Sequence, residues 1–120
     1  MTETDKALAI WKAKTEAEQV EWIAVEVMDW THNKSCKNPM FNDHGKKIEE
    51  WDFCPLTNWN DFRLVEIKIM EDLELWEEMM EQNYQLTNKR SFDVFSYWKT
   101  PLPKRCEALY LAYTSLHPTL

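Results

Sequence analysis

Glycine is almost absent. The chain has one, Gly45, where average usage of about 7% would supply about eight in this length. That scarcity excludes the Gly-rich loops that bind dinucleotides or cradle phosphates. Basic charge is scarce as well: 14 Lys and Arg face 21 Asp and Glu, a formal net charge of −7. Such a balance repels phosphate backbones and anionic membrane surfaces and argues against both as partners. Apolar runs fall well short of the roughly 18 residues that span a bilayer, so a soluble chain is expected. Cysteine is limited to Cys36, Cys54 and Cys106, an odd number at irregular spacing. With no basic stretch followed by an apolar one at the start, this usage predicts the reducing cytoplasm.

What is present suits folding. At 120 residues, 44% apolar and 29% charged, the chain is one domain's worth and should bury roughly 65% of the surface its unfolded form exposes. Residues 1–14 are helix-compatible but offer only Leu8, Ile10 and Trp11 to a core. They read as an extension or short helix ahead of a single domain over 15–120. Thr15 and Glu18 then form a T-x-x-E capping box. Val20, Ile23, Ala24, Val27 and Met28 recur at three- and four-residue steps, predicting a helix to Asp29 or Trp30.

Residues 31–47 collect Asn, Lys, Pro39 and Gly45, and Asn42-Asp43-His44-Gly45 suits a hairpin tip between strands at Met40-Phe41 and Ile48 to Phe53. Beyond Pro55, the cap residues Thr57, Asn58 and Asn60 open one long helix. Its apolar stripe is Phe62, Val65, Ile69, Leu73, Trp76 and Met80, and its other side carries Glu66, Glu71, Asp72, Glu74, Glu77, Glu78 and Glu81. The period then drops to two at Tyr84 and Leu86, breaks at residues 87–90 and resumes at Phe92 and Val94. This predicts a second hairpin, with Phe95 and Tyr97 on its alternate face. Pro103 is acceptable in the first turn of a last helix carrying Cys106, Leu109, Tyr110, Tyr113 and Leu116, with Pro118 closing the chain. The expected class is α+β, an antiparallel sheet of about four strands with three helices in α/β/α layers.

Three segments, EWIAVEVMDW (Glu21 to Trp30), DFCPLTNWNDFRLVEIKIM (Asp52 to Met70) and PLPKRCEALYLAYTSL (Pro101 to Leu116), together resemble the phage ABA sandwich domain. The family opens on an Ile-Ala-x-x-Val-Met-x-Trp helix, enters its long helix through Pro-Ser-Thr-Asp or similar, and closes on Pro-x-x-Ala-Ile-Cys-x-Ala-Ala-Leu. The likeness runs in order over about residues 18–117. Leu56 stands where that family favours Ser, and Glu107 where it favours a small residue. The resemblance implies an α/β/α sandwich encoded by a phage or prophage, in the cytoplasm of its bacterial host, and brings no catalytic residue.

Several constellations invite chemistry. His32, Cys36, His44 and Cys54 offer thiolate and imidazole, the donors of tetrahedral zinc, but their spacing lacks the close ligand pairs of common zinc sites. The expectation is no metal and no cofactor, with Cys54 a small core residue beside Phe53. Cys106 lies near a helix N-terminus, which lowers a thiol pKa, yet its place on the apolar face reads as structural. Ser35, Ser91, Ser96 and Ser115 have no neighbouring motif. General acid–base work needs carboxylates paired in a cleft, whereas these line the outside of a helix. An enzyme is not expected.

Charge is unevenly spread. Residues 61–82 carry eight acids against Arg63 and Lys68, while residues 83–120 carry five bases against two acids. Spaced carboxylates imitate phosphates and attract basic surfaces, so the leading reading is a non-enzymatic accessory protein that binds a host protein of basic surface. Its contact residues would be Glu71, Glu74, Glu77, Glu78 and Glu81, and its target a nucleic-acid-binding enzyme such as a defence nuclease. A second reading is a small-ligand or nucleotide-sequestering protein using Lys89, Arg90, Lys104 and Arg105. Trp22, Trp30, Trp59 and Trp76 fall on faces that must pack; Trp11 and Trp98 are candidates for an interface. A homodimer is compatible with each reading.

Overall fold

Two threonines start the first two helices. In the computed structural model, which describes residues 2–33, 39–87 and 94–117, α1 spans Glu3–Ala13 behind a capping box of Thr2 and Asp5. A second box, Thr15 with Glu18, opens α2 (Glu16–Trp22), each box satisfying backbone N–H groups that the first turn leaves unpaired. Trp11 is fully buried, its ring 5.7 Å edge-on from Trp22 and 4.9 Å from Tyr110. That anchor docks α1 on the last helix and takes Trp11 out of any interface.

Helix α2 widens into a π turn over Ile23–Val27, where Met28 N–H donates to the Ile23 carbonyl at 3.0 Å. The apolar face is as the spacing predicts: Val20, Ile23, Ala24 and Val27 are buried. Asp29 then takes a positive φ of 61°, and the chain enters a sheet of order β1-β2-β3. Its strands are β1 (Thr31–Asn33), β2 (Met40–Asp43) and β3 (Lys46–Glu49), antiparallel with His32 opposite Phe41 and Phe41 opposite Ile48. The hairpin tip lies at His44 and Gly45, whose φ values of 49° and 103° match a turn with positive φ at both central residues. Asn42 Oδ1 accepts from Gly45 N–H at 2.7 Å and braces it. β1 was not expected. β3 ends early, and a 3-10 turn at Glu50–Asp52 replaces the rest of the expected strand.

The long helix is two helices. α3 spans Trp59–Met70 behind an Asn58 cap, the chain turns at Glu71-Asp72, and α4 spans Leu73–Thr87. Asp72 Oδ1 accepts from Leu75 N–H at 3.3 Å, a new N-terminal cap inside what reads as continuous periodicity. Leu73 is therefore turned outward, 70% exposed, and the buried line of α4 becomes Leu75, Met79, Met80 and Asn83.

The expected second hairpin is also absent among the described residues. Tyr84 and Leu86 lie within α4, and Val94 opens the short helix α5 (Val94–Lys99); Phe92 lies outside the described residues. Two residues at a spacing of two cannot distinguish strand from helix when Asn83 faces the core between neighbours of the same helix. α6 (Leu102–Leu116) follows Pro101, with Pro103 in its first turn, and Pro118 lies outside the described residues. α6 packs against both α4 and α1, and α3 against α4, while β1 touches the π turn. The architecture is α+β, with three strands and six α-helices among the described residues rather than four and three. Helix-on-helix contact supplies most of the core, with the sheet contributing Phe41 at one end.

Candidate functional site

The acids singled out from the sequence do share a face. Glu74, Glu77, Glu78 and Glu81 fall within about 100° of one another around α4 at 3.6 residues per turn, opposite the buried line of Leu75, Met79 and Asn83. Glu74, Glu77 and Glu81 are exposed and Glu78 is half-buried. No lysine or arginine occurs in α4. Side-chain amides hold two of these acids from within the helix: Gln82 donates to Glu78 and Gln85 to Glu81, both at 3.0 Å. Glu71 sits apart, in the turn before α4, with Lys68 Nζ 3.3 Å away.

Glu66 leaves the acidic face altogether. It is 4% exposed and joins Arg105, 1% exposed, in a sealed cluster. Arg105 Nη1 lies 3.6 Å from Glu66 Oε2; its Nε donates to the Thr100 carbonyl at 2.9 Å and its Nη2 to the Trp98 carbonyl at 2.8 Å. The guanidinium stacks 4.3 Å from the Tyr97 ring centre and 4.6 Å from that of Trp59. Tyr97 Oη closes the cluster, donating to Glu66 Oε2 at 2.5 Å. Burial pushes the Tyr97 phenol far up, and the hydrogen bond to Glu66 adds to the shift. A planar fork with five donors meets a carboxylate, two carbonyls and two aromatic faces at once, which a lysine could not do.

This arrangement alters two sequence-level expectations. Arg105 is committed inside the protein and cannot serve the basic ligand site proposed with Lys89, Arg90 and Lys104. Lys104 lies 3.3 Å from Glu107, and Lys89 and Arg90 lie outside the described residues. Trp59, expected in the core, is half exposed and covers the cluster from outside, as does Trp98.

A second ionic group joins the sheet to α2. His32 Nδ1 lies 2.8 Å from Glu21 Oε2, and its Nε2 2.8 Å from Glu50 Oε2. The ring stacks 4.6 Å from Phe41. One carboxylate stands at each ring nitrogen. His32 thus clamps the sheet to the helix, and both of its nitrogens are occupied. Of the other members of the zinc set, His44 is exposed at the hairpin tip and Cys54 Sγ donates to Glu16 Oε1 at 3.3 Å, so neither joins it; Cys36 lies outside the described residues. Among the described residues no three of His, Cys, Asp or Glu are placed to hold a metal ion.

Cys54 is half-buried rather than a core residue. It lines a groove of about 370 Å³ with Glu16, Ala17, Val20, Pro39, Glu50, Trp51 and Phe53. None of these is basic, so the groove lacks the Lys, Arg or His that activates a thiol. Cys106 is fully buried, and burial pushes its thiol well up, overriding the nearby Arg105. The depressed pKa that a helix start could have given it is not found. Ser115 is exposed. Ser35 and Ser91 lie outside the described residues, as does the side chain of Ser96.

No known protein family, no curated protein and no solved structure matches the chain. The likeness to the phage ABA sandwich domain rests on its motifs alone. No helix among the described residues is long and apolar enough to cross a membrane.

Sequence reasoning missed Glu66 as a core residue, although a signal existed. Glu66 stands four residues after Phe62 and three before Ile69, and Arg105 stands three after Leu102 and four before Leu109. Opposite charges each set into a core-facing stripe mark a buried pair. No comparable pattern marks Glu21 and Glu50 as partners of His32.

Proposed function

We propose that this is a small non-catalytic protein that works by capturing a macromolecule of basic surface on the acidic face of α4. The observation that supports it is the gathering of Glu74, Glu77, Glu78 and Glu81 on one basic-free stripe, with Glu71 at its leading end. Charge of one sign concentrated on a rigid helix speeds encounter with an oppositely charged surface and weakens with salt. The fitting partner is a nucleic-acid-binding enzyme of a bacterial host, whose phosphate-binding surface would meet spaced carboxylates in place of phosphates. On that reading the protein acts in the host cytoplasm on behalf of a phage or prophage, the setting that its resemblance to the phage ABA sandwich domain implies.

The test is capture from bacterial lysate, comparing the native chain with Glu74→Lys/Glu77→Lys/Glu81→Lys at low and high salt. A partner retained by the native chain should be lost with the triple variant and released by salt, while the variant melts within a few degrees of the native chain. A partner held equally by both proteins rules the acidic face out.

A further inference from the structure

Helix α3 is apolar on two sides. Phe62, Val65 and Ile69 are fully buried, but Leu64, Ile67 and Met70 on the other side are 49%, 50% and 42% exposed. At 3.6 residues per turn, Ile67 lies at the middle of the outward side, with Leu64 and Met70 about 60° to either hand. Arg63 and Glu71 flank it four residues away in each direction, each about 40° off centre. The outward face is thus symmetric in position about Ile67 and opposite in charge at its two ends.

We infer that this face is the contact surface for a second copy of the chain, in an antiparallel α3–α3 pair with its two-fold axis at Ile67. In an isologous contact, residue i meets residue j wherever j meets i. Ile67 would face Ile67, and Arg63 would come level with Glu71 of the second copy, near enough to the contact line for two long side chains to reach each other, at both ends of the pair. Leu64 and Met70, further round the helix on opposite sides, would border the contact. The charge pattern carries the choice of occupant, since each end of the face is complementary to the other end of an identical face. Arg63 is more than half exposed, and its one recorded carboxylate neighbour, Glu66, lies 3.9 Å away, so its fork has donors to spare; Glu71 is likewise exposed and meets Lys68 Nζ at 3.3 Å through one oxygen only, Oε2. An anionic membrane is a poorer match, because Glu71, Asp72 and Glu74 border the stripe and are repelled by such a surface. Three half-exposed side chains and their flanks make a contact below the standard of about 800 Å² per partner, so the dimer is a weak one. The surface shares Glu71 with the leading end of the acidic face but none of Glu74, Glu77 and Glu81, so Ile67→Glu tests dimerisation without touching the acids on which partner capture is tested.

Sedimentation velocity on the full chain from about 10 µM to about 1 mM, where small interfaces saturate, tests this. Dimer should grow across the range, and Ile67→Glu should remain monomeric throughout. Glu71→Arg should weaken association about tenfold by setting two cations face to face, and Arg63→Glu added to it should restore the dimer. Because Arg63→Glu also places a carboxylate beside buried Glu66, a second variant fixes the register independently. Ile67→Cys, on the two-fold axis, should form a disulfide-linked dimer on mild oxidation, more than the native chain and more than Leu64→Cys, whose two copies lie about 9 Å apart along the pair. A monomer at every concentration, a dimer indifferent to Ile67→Glu, or cross-linking of Ile67→Cys no greater than of Leu64→Cys would overturn the inference.

Discussion

Arg105 and His32 solve one problem at two depths. Each is a nitrogen-bearing side chain flanked by carboxylate oxygen and set against an aromatic ring, yet Arg105 lies sealed between α3, α5 and α6, while His32 joins the sheet to α2 at a seam whose acids reach solvent. Its acids Glu21 and Glu50 are about a third exposed; Glu66 is almost wholly enclosed. The interior holds the permanently charged guanidinium, and the seam holds the imidazole. Depth sets the penalty for an unmatched charge, and within the core that charge is met by a carboxylate, two carbonyls and two aromatic rings.

The largest break in this comparison should come from Arg105→Met. It strands Glu66 in the core and should cost about 3 to 5 kcal/mol, the range for removing one partner of a buried pair. The urea midpoint should drop accordingly, and Arg105→Lys should recover little because two carbonyls and two rings lose their fork. A loss below about 1 kcal/mol would mean that water reaches Glu66 as readily as it reaches Glu21.

His32→Gln should cost less, about 1 to 2 kcal/mol, because a lost charge-assisted bond at the seam is partly replaced by water. The damage should be local: amide hydrogen exchange should quicken in β1 to β3 while α4 and α6 keep their protection. Equal quickening in α6 would show that the two clusters unfold as one unit.

The smallest effect is an alkaline pH dependence to which the sealed side contributes through Tyr97 and Cys106, with Tyr110 and Tyr113 elsewhere also pushed up by burial. The folded state holds the protons of Tyr97 and Cys106 more tightly than the unfolded chain does, both being pushed up chiefly by burial. Stability from these groups is complete below their ordinary ranges and declines as pH rises beyond about 8.5 for the thiol and about 10 for the phenol. Urea midpoints should therefore fall on the alkaline side, and Tyr97→Phe should flatten the part above about pH 10. An unchanged slope in that variant would assign the alkaline loss elsewhere.

Local chemistry was legible where it closed over a few residues. Thr15 with Glu18, the Asn42 to Gly45 tip and the Pro101-Leu-Pro entrance each declare their geometry within four positions, and the structure follows them. The break at Glu71-Asp72 was hidden because Ile69, Leu73, Trp76 and Met80 stay in step across it, and Asp72 is a cap only once the chain has turned. The period of two at Tyr84 and Leu86 was too short to contest a helix already under way. Of the candidate surface, the four acids of α4 were legible as a stripe, since exposure there follows from phase alone. Leu64, Ile67 and Met70 were passed over because a helix with a satisfied inner face hides its second one. Arg105 was misassigned because its positive charge suggested solvent, while its spacing from Leu102 and Leu109 pointed inward.

The π turn at Ile23–Val27 has a consequence for how the chain tolerates length changes. A π turn is in effect a one-residue insertion into an α-helix, and here it sits between the packed face of α2 and the start of β1. Deleting Val25 should let ordinary helical bonding resume with little further change, because five residues on the wider turn sweep nearly the same angle as four α-helical ones. Trp30 should keep its place beside Phe53 and His32 its reach to Glu21. The irregular turn absorbs one extra residue without passing its rotation on to the sheet, so the junction between two separately built halves tolerates a change of length by one.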